Sequence, residues 1–464
     1  MDDIGVVILA AGQGTRMKSS LPKVLHCLGG IPLFLHVVRT AQRLDPSMIA
    51  IVVGHGAAAV QRAYAGNDVT WIDQAKQLGT GHAVRCAGET FHNFAGDVLI
   101  LSGDVPSITE ASLKRLVDYH RAQRAAVTLL TATLDDPAGY GRILRDGRNN
   151  ITAIVEEKDA SDVQRQIREV NAGVYVAAAP FLFDALARIN NDNRQGEYYL
   201  PDIVRICLGQ GKTVATSEVS DAREMMGINT REELARMEKS LQERINRKWM
   251  AAGVTLKDPL TAYIEENVTI GKDSVIGPNT HLCGVTVIGE RCTIDGSAYL
   301  TDACLDDEVH LRFSVVLTGC RIGSGAIVGP FAHLRPGTEL GRNVHIGNFV
   351  EVKEAKIGDG TKANHLTYLG DVTIGKETNI GAGTITCNYD GFHKYKTRIG
   401  DRVQVGSDST LVAPLSLGDD VYVATATTVR HDVPGGALVF NDRQERVREG
   451  WTEQKRMKMK GTEK

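Results

Sequence analysis

The sequence predicts an α/β protein with two architectures in tandem, a doubly wound parallel-sheet domain followed by a parallel β-helix. Three observations carry the prediction. Short β-branched runs alternate with helix-length patterns over the first half. Aliphatic residues, often followed by glycine, recur every six positions over the second. Glycine is in excess at 48 of 464 residues while aromatics make up only 5%, and the shorter stretch after residue 253 holds more than half of the glycines.

In the first half, residues 5–11, 49–53 and 97–101 are short and apolar, and turns or loops follow them. They read as strands buried on both faces of a parallel sheet. Residues 32–44 and 110–124 between them read as helices, so ligands are expected beyond the carboxyl ends of the strands. Residues 230–252 read as one long helix. Thr230 and Glu233 have capping-box spacing, Gly253 is a stop, and Leu234, Met237, Leu241, Ile245 and Trp249 form one apolar stripe. The expected organisation is therefore a domain over 1–229, a linker helix over 230–252, and a β-helix over 253–464 that ends in a short basic tail.

The hexapeptide frame runs through Ile264, Ile270-Gly271, Ile276-Gly277, Leu282, Ile288-Gly289, Ile294 and Leu300. After a break it resumes at Ile322-Gly323 and continues to Val352, slips by one residue at Ile357-Gly358, and ends with a run from Ile399-Gly400 to Val429. Each aliphatic residue is expected to point into the prism. Each glycine is expected near a corner, where the backbone turns without a Cβ. A narrow aliphatic prism has little use for aromatics.

Composition removes several function classes. A net charge of −3 argues against a dedicated nucleic-acid binder. No run of about 18 apolar residues suggests a membrane span, and the acidic start Met1-Asp2-Asp3 lacks the basic region of a secretion signal. None of the eight cysteines forms a C-x-x-C pair, so reduced thiols in a cytoplasmic protein are expected. The tail 455–464 is basic, and disorder is expected there rather than nucleic-acid binding.

The chemistry lies where the patterns are interrupted. Leu9-Ala-Ala-Gly-Gln-Gly-Thr-Arg-Met17 follows the first strand, and Leu21-Pro22-Lys23 comes soon after. Glycines let backbone amides approach an anion, and Arg16 and Lys23 can neutralise phosphate oxygens. The pattern fits neither a P-loop nor a dinucleotide fingerprint. Ser102-Gly103-Asp104 ends a buried strand and sets a carboxylate at the ligand edge of the sheet. Alone, Asp104 reads as a helix cap or turn former. Behind the glycine loop, a Mg²⁺ ligand is the better reading.

Gly-x-Gly-Thr-Arg-Met followed by Pro-Lys resembles the nucleotidyltransferases that join a nucleoside triphosphate to a sugar 1-phosphate. The resemblance implies nucleotide contacts from Leu9, Ala10, Ala11, Gly12, Lys23 and Gly103, and uracil reading by Gln74, Gly79 and Thr80. It implies sugar contacts from Gly141, Glu156 and Asn171, and Mg²⁺ held by Asp104 and Asn229. In the repeats, Phe331–Gly337, Asn348–Lys353, Asn364–Gly370 and Asn379–Gly391 break the hexapeptide with polar residues. With both halves in view, the chain resembles the bifunctional bacterial glucosamine-1-phosphate N-acetyltransferases and N-acetylglucosamine-1-phosphate uridylyltransferases, from Leu9 to about residue 450. That family joins a Rossmann-like nucleotidyltransferase domain to a left-handed β-helix.

The resemblance implies His365 as the base that deprotonates the glucosamine amine, and an imidazole with an ordinary pKa of about 6.5 suits that task. It places the sugar phosphate on Arg335 and Lys353, the sugar on Tyr368 and Asn379, and acetyl-CoA on Ala382, Asn388, Tyr389, Ser407, Thr425 and Arg443. The interruption 388–394 reads as a projecting loop that reaches a neighbour, which implies a homotrimer. Arg16 and Lys23 are the expected uridylyl catalysts, with UTP and acetyl-CoA as co-substrates. The other expected partners are small molecules, with no nucleic acid and no transmembrane segment.

Three positions depart from the family pattern. Ser102 stands where relatives often have Tyr, Ala424-Thr-Ala426 replaces Ala-Ala-Gly, and Asp442 takes the place of a coenzyme-contacting Arg with Arg443 beside it. Two rival readings are a single-activity pyrophosphorylase with a regulatory or oligomerising β-helix, and a non-enzymatic regulatory assembly.

Overall fold

The computed structural model describes residues 3–442 and 444–460. The chain divides into two compact units, Met1–Leu241 and Gln242–Lys464. The division falls inside the helix Arg231–Ala251.

In the first unit the central sheet runs from edge to edge as Val214–Glu218, Val127–Thr133, Glu169–Ala178, Asp97–Ser102, Ile4–Leu9, Met48–Val53 and Thr70–Asp73. Ile4–Leu9 pairs in parallel with both Met48–Val53 and Asp97–Ser102. Val6, Ile8, Leu99 and Leu101 pack on one face, and Val7, Val52, Val98 and Ile100 on the other. Alternate residues bury both faces, which is why these strands read as unbroken apolar runs. The expectation of a parallel sheet needs one correction. Glu169–Ala178 lies antiparallel to both its neighbours. An antiparallel return needs no crossover helix, and the chain reaches it through the hairpin Arg142–Arg145 and Ile151–Val155.

Helices form where expected, at Leu33–Gln42 and Glu110–Gln123. Thr109 caps the second through its hydroxyl, which accepts from the Ser112 amide at 3.2 Å. The helix Arg231–Ala251 opens on a reciprocal capping box. The Thr230 hydroxyl accepts from the Glu233 amide at 3.1 Å, and the Glu233 carboxylate accepts from the amides of Thr230 at 3.0 Å and Asn229 at 2.6 Å.

In the second unit every strand pairing is parallel, on three faces. Representative ladders are Thr255↔Val275↔Thr293, Ala262↔Thr280, and Thr269↔Val287↔Cys304. The aliphatic positions of the frame are buried, Ile264, Ile276, Leu282, Ile294 and Leu300 completely. Between 300 and 322 the frame is unbroken. Leu305, Leu311 and Leu317 are buried in the same stack, and shortened corners between Leu300 and Leu305 and between Leu317 and Ile322 hid them from a strict six-residue count. The first coil is covered by the helix end: Gln242 accepts from the Ile264 amide at 2.9 Å, and Asn246 donates to the carbonyls of Pro259 and Ala262 at 2.8 and 3.0 Å.

The corner glycines serve close approach rather than turning. A Cβ on Gly323 would lie 2.7 Å from the backbone of Gly341, and one on Gly358 equally close to Gly375. The left-handed positions of the corners are held mostly by other residues, among them Asp273, Asn279, Arg291, Phe331 and Phe349. The expected disorder of the basic tail also needs correction. Trp451–Lys460 is helical, because Glu, Gln, Lys, Arg and Met are strong helix formers and the basic residues gather toward its carboxyl end. Residues 461–464 lie outside the described residues.

Candidate active sites

Parallel pairing in the first unit sets Leu9 opposite Ser102. The carboxyl ends of two adjacent strands therefore open on the same side. Two clefts lie there. One, of about 500 Å³, is bounded by Leu9, Ala11, Gly12, Gly14, Lys23, Gln74, Gly79 and Thr80. The other, of about 210 Å³, is bounded by Tyr140, Gly141, Glu156, Asn171, Tyr175 and Asn229. Leu9, Thr80, Ser102 and Asp104 border both. The sequence-expected nucleotide and sugar positions thus fall into two joined spaces. Ala10 and Gly103 lie in the wall, where their amides bond to Val52 and Leu9 carbonyls at 2.8 and 2.9 Å. Arg16 is exposed on the turn Thr15–Met17.

The glycine loop is shaped for close approach. Nothing lies within 4 Å of where a Gly12 Cβ would stand, so its backbone is open to a ligand. Gly14 has φ +62, and a Cβ there would meet the Lys23 Cβ at 2.5 Å, so this glycine lets the Lys23 stem lie against the loop. The Lys23 ammonium pairs with Asp104 Oδ2 and donates to Asn229 Oδ1 at 3.0 Å. Two hard oxygen donors therefore converge on one cation position. That set fits a hard divalent cation that keeps waters and shares phosphate oxygens. Among the described residues no cluster of three or more His, Cys, Asp or Glu offers another place for a metal.

Gln74 is buried, and its two amide hydrogens are taken by the Gly79 carbonyl at 3.2 Å and His82 Nδ1 at 2.9 Å. What it offers a ligand is an oxygen acceptor. His82 was missed by sequence reasoning. Burial, then Arg85, lowers its pKa and favours the neutral ring. Tyr140 was missed as well. It borders the smaller cleft, and burial, then Glu233, raise its hydroxyl pKa. In the same cleft burial and the carboxylates of Asp159 and Asp202 push Glu156 upward. Asn171 donates to the Tyr175 hydroxyl at 2.5 Å and accepts from the Gly173 amide at 3.1 Å.

In the second unit, ladder register brings the expected residues together. Asn348 pairs with His365, and Asn348 Oδ1 lies 3.0 Å from His365 Nδ1. Around the next corner, Glu351 pairs with Tyr368 and Lys353 with Gly370, while the Arg335 amide bonds to the Val352 carbonyl one coil earlier at 2.8 Å. Arg335 donates to Glu351 at 2.8 Å. A Cβ at Gly370 would collide with the Tyr368 ring. Asn388 donates to Asp371, and more weakly to the Tyr368 hydroxyl at 3.5 Å. Asn379 pairs with Lys362 on the His365 face.

Lys394 closes the interruption 388–394, and sequence reasoning gave it no role. The interruption folds as a hairpin in which Tyr389 bridges Lys394, and this returns the Lys394 ammonium to Lys353. The Lys353 pKa is lowered, first by the hydrogen-bonding contact with Lys394, then by burial, and then by the like charge of Lys394. The available signal was a lone cation in a segment already marked as functional. Ala382, Ser407 and Thr425 form one column: Asp408 donates to the Ala382 carbonyl at 2.7 Å and Ala426 to the Ser407 carbonyl at 2.8 Å, and a Cβ on Gly406 would stand 2.5 Å from the Thr425 amide. Tyr389 is exposed in the hairpin. Arg443 lies outside the described residues.

Residues 6–199 match the MobA-like NTP transferase domain, 267–302 and 319–354 match the bacterial transferase hexapeptide, and 396–429 match the hexapeptide repeat of succinyl-transferase. The chain is 46% identical to the bifunctional protein GlmU of Pelobacter propionicus, over 97% of this chain and 98% of that protein. It is 47% identical to the GlmU proteins of Geotalea uraniireducens (97% and 99% covered) and Stutzerimonas stutzeri (97% and 98%).

Removing the Lys394 charge tests the cation cluster. In Lys394→Met the Lys353 amine should titrate at higher pH, as read by NMR of labelled lysine side chains. Affinity for inorganic phosphate should fall about tenfold, the loss of roughly one charge-assisted contact.

Proposed function

The chain belongs to the family of bifunctional GlmU proteins, and from that premise we propose how its residues divide two reactions. It is a bifunctional enzyme of UDP-N-acetylglucosamine synthesis. The β-helix transfers acetyl from acetyl-CoA to glucosamine 1-phosphate. The α/β unit transfers uridylyl from UTP to N-acetylglucosamine 1-phosphate and releases pyrophosphate. The observation that carries the division is that the nucleotide and sugar clefts meet at Asp104, well apart in sequence from the His365 cluster.

In the uridylyl reaction, the larger cleft takes UTP with its phosphates along Gly12–Gly14. Gln74 Oε1 accepts from the uracil imide, with its amide hydrogens committed to Gly79 and His82. Glu156, Asn171 and Gly141 hold the sugar in the smaller cleft. The sugar phosphate oxygen attacks the α-phosphorus, so no protein nucleophile is needed, and Lys23 and Arg16 offset charge on the phosphates. Asp104 and Asn229 would hold Mg²⁺, which when bound polarises phosphate oxygens.

In the acetyl reaction, Arg335, Lys353 and Lys394 surround the sugar phosphate, and Tyr368 and Asn379 hold the sugar. Asn348 Oδ1 accepts from His365 Nδ1–H, which leaves Nε2 as the acceptor that takes the proton of the attacking amine. Acetyl-CoA lies along the Ala382, Ser407 and Thr425 column, with Asn388 and Tyr389 nearby. The rival single-activity reading gives no reason for a scaffold to hold Lys353 against Lys394.

The protein acts as a homotrimer in the cytoplasm. Two features support the trimer: an exposed ridge in which Phe331 stacks on Phe349 and meets Phe313 edge-on, and the exposed Tyr389 and Phe392 on the hairpin. None of the eight cysteines forms a disulfide, as a reducing compartment requires, and no described helix is long and apolar enough to cross a membrane.

Two assays separate the sites. Asp104→Ala should lower uridylyl transfer by about 100-fold or more while acetyl transfer from acetyl-CoA persists, and His365→Ala should do the reverse. Survival of both activities in either variant would remove the assignment. Asn348→Asp sets a carboxylate against the imidazole, favours its charged form, and should move the acidic limb of the acetyl-transfer pH profile upward by about one unit. Light scattering of the full chain should give three times the chain mass, and an active monomer would contradict the trimer.

A further inference from the structure

Lys23 is bonded to the same two oxygens that the proposed metal would need. Its ammonium pairs with Asp104 Oδ2 and donates to Asn229 Oδ1, and the two charged side chains are only 14% and 19% exposed. An ammonium and a divalent cation cannot share these donors, since like charges at bonding distance repel strongly where water is sparse. We propose that Lys23 is a latch on the metal site, which opens to the divalent cation only when the nucleotide phosphates draw the ammonium away. The proposal rests on the assignment of Asp104 and Asn229 as metal ligands.

The surroundings fit exchange rather than collapse. The acceptors are anchored: the Asn229 amide donates to Glu233 at 2.6 Å, and the Asp104 carbonyl accepts from the Ile228 amide at 2.9 Å. The base of Lys23 is anchored too, with its stem against Gly14. Only the distal methylenes can swing. Lys23 borders the larger cleft with Gly12 and Gly14, whereas Asn229 borders the smaller one. A swing of the ammonium therefore carries it from the metal donors toward the glycine loop, where a phosphate would offer it new oxygens. By linkage, nucleotide would then raise metal affinity and metal would raise nucleotide affinity by the same factor.

The test is direct binding of Mn²⁺ alone, followed by the electron paramagnetic resonance of free Mn²⁺, with the full chain. Lys23→Met keeps an unbranched stem and removes the charge. It should bind Mn²⁺ without nucleotide at least about tenfold more tightly than the parent, one pair contact's worth. Lys23→Gln should do the same, which guards against a folding defect in one variant. Adding Asp104→Asn to Lys23→Met should abolish the gain. Equal Mn²⁺ affinity in parent, Lys23→Met and Lys23→Gln would overturn the latch, as would a gain that survives Asp104→Asn. If Mn²⁺ binding with UTP present is also indifferent to Asp104→Asn, the metal assignment falls with it.

Discussion

Hydrogen bonding between parallel strands decides which side chains meet in both units. A parallel pair carries its two strands in the same direction, so both end on the same side and the loops beyond them are brought together. Leu9 opposite Ser102 is one such ending. The glycine loop and Asp104 come after these two residues, and the two clefts open there. In the β-helix the same bond pattern is repeated coil upon coil. Positions one coil apart stack into columns, and Asn348 stands beneath His365 for that reason. Threonines inside the prism close their own corners, as Thr338 does on the Arg335 carbonyl at 2.7 Å, which pairs a hydroxyl that the prism buries.

The two sites treat charge in opposite ways. In the α/β unit the cation already has oxygen partners, since Lys23 lies between Asp104 and Asn229. In the β-helix Arg335 has Glu351, but Lys353 faces Lys394. A paired cation holds its neighbours in place and must be drawn off. Two cations held side by side attract an anion outright, even with the Asp371 carboxylate near Lys353. Each arrangement suits an anionic substrate, and each has its own response to substitution.

Legibility followed the range of the interaction. The hexapeptide frame, the capping box and the glycine loop are local patterns, and they stood in the sequence with nearly correct bounds. Leu305, Leu311 and Leu317 escaped because a five-residue corner shifts the phase without changing what is buried. The antiparallel strand Glu169–Ala178 escaped because strand direction is a property of the sheet and leaves no trace in hydrophobic period. Motif context marked Asp104, Asn229 and His365 as candidates. His82, Tyr140 and Lys394 are single residues without a pattern of their own, and their positions depend on what the fold sets beside them.

The sequence by itself determined the two architectures, since periods of burial are written along the chain and need no partner to be read. It also determined the kinds of chemistry, because glycine, lysine, carboxylate and histidine occur where those periods fail. Only the tertiary structure decided the pairings. Lys23 meets Asp104 across 81 residues and Asn229 across 206, and no local pattern specifies an ion pair over such separations. Closing the sheet and the hairpin fixes which charge faces which, and that choice separates a held cation from an exposed one.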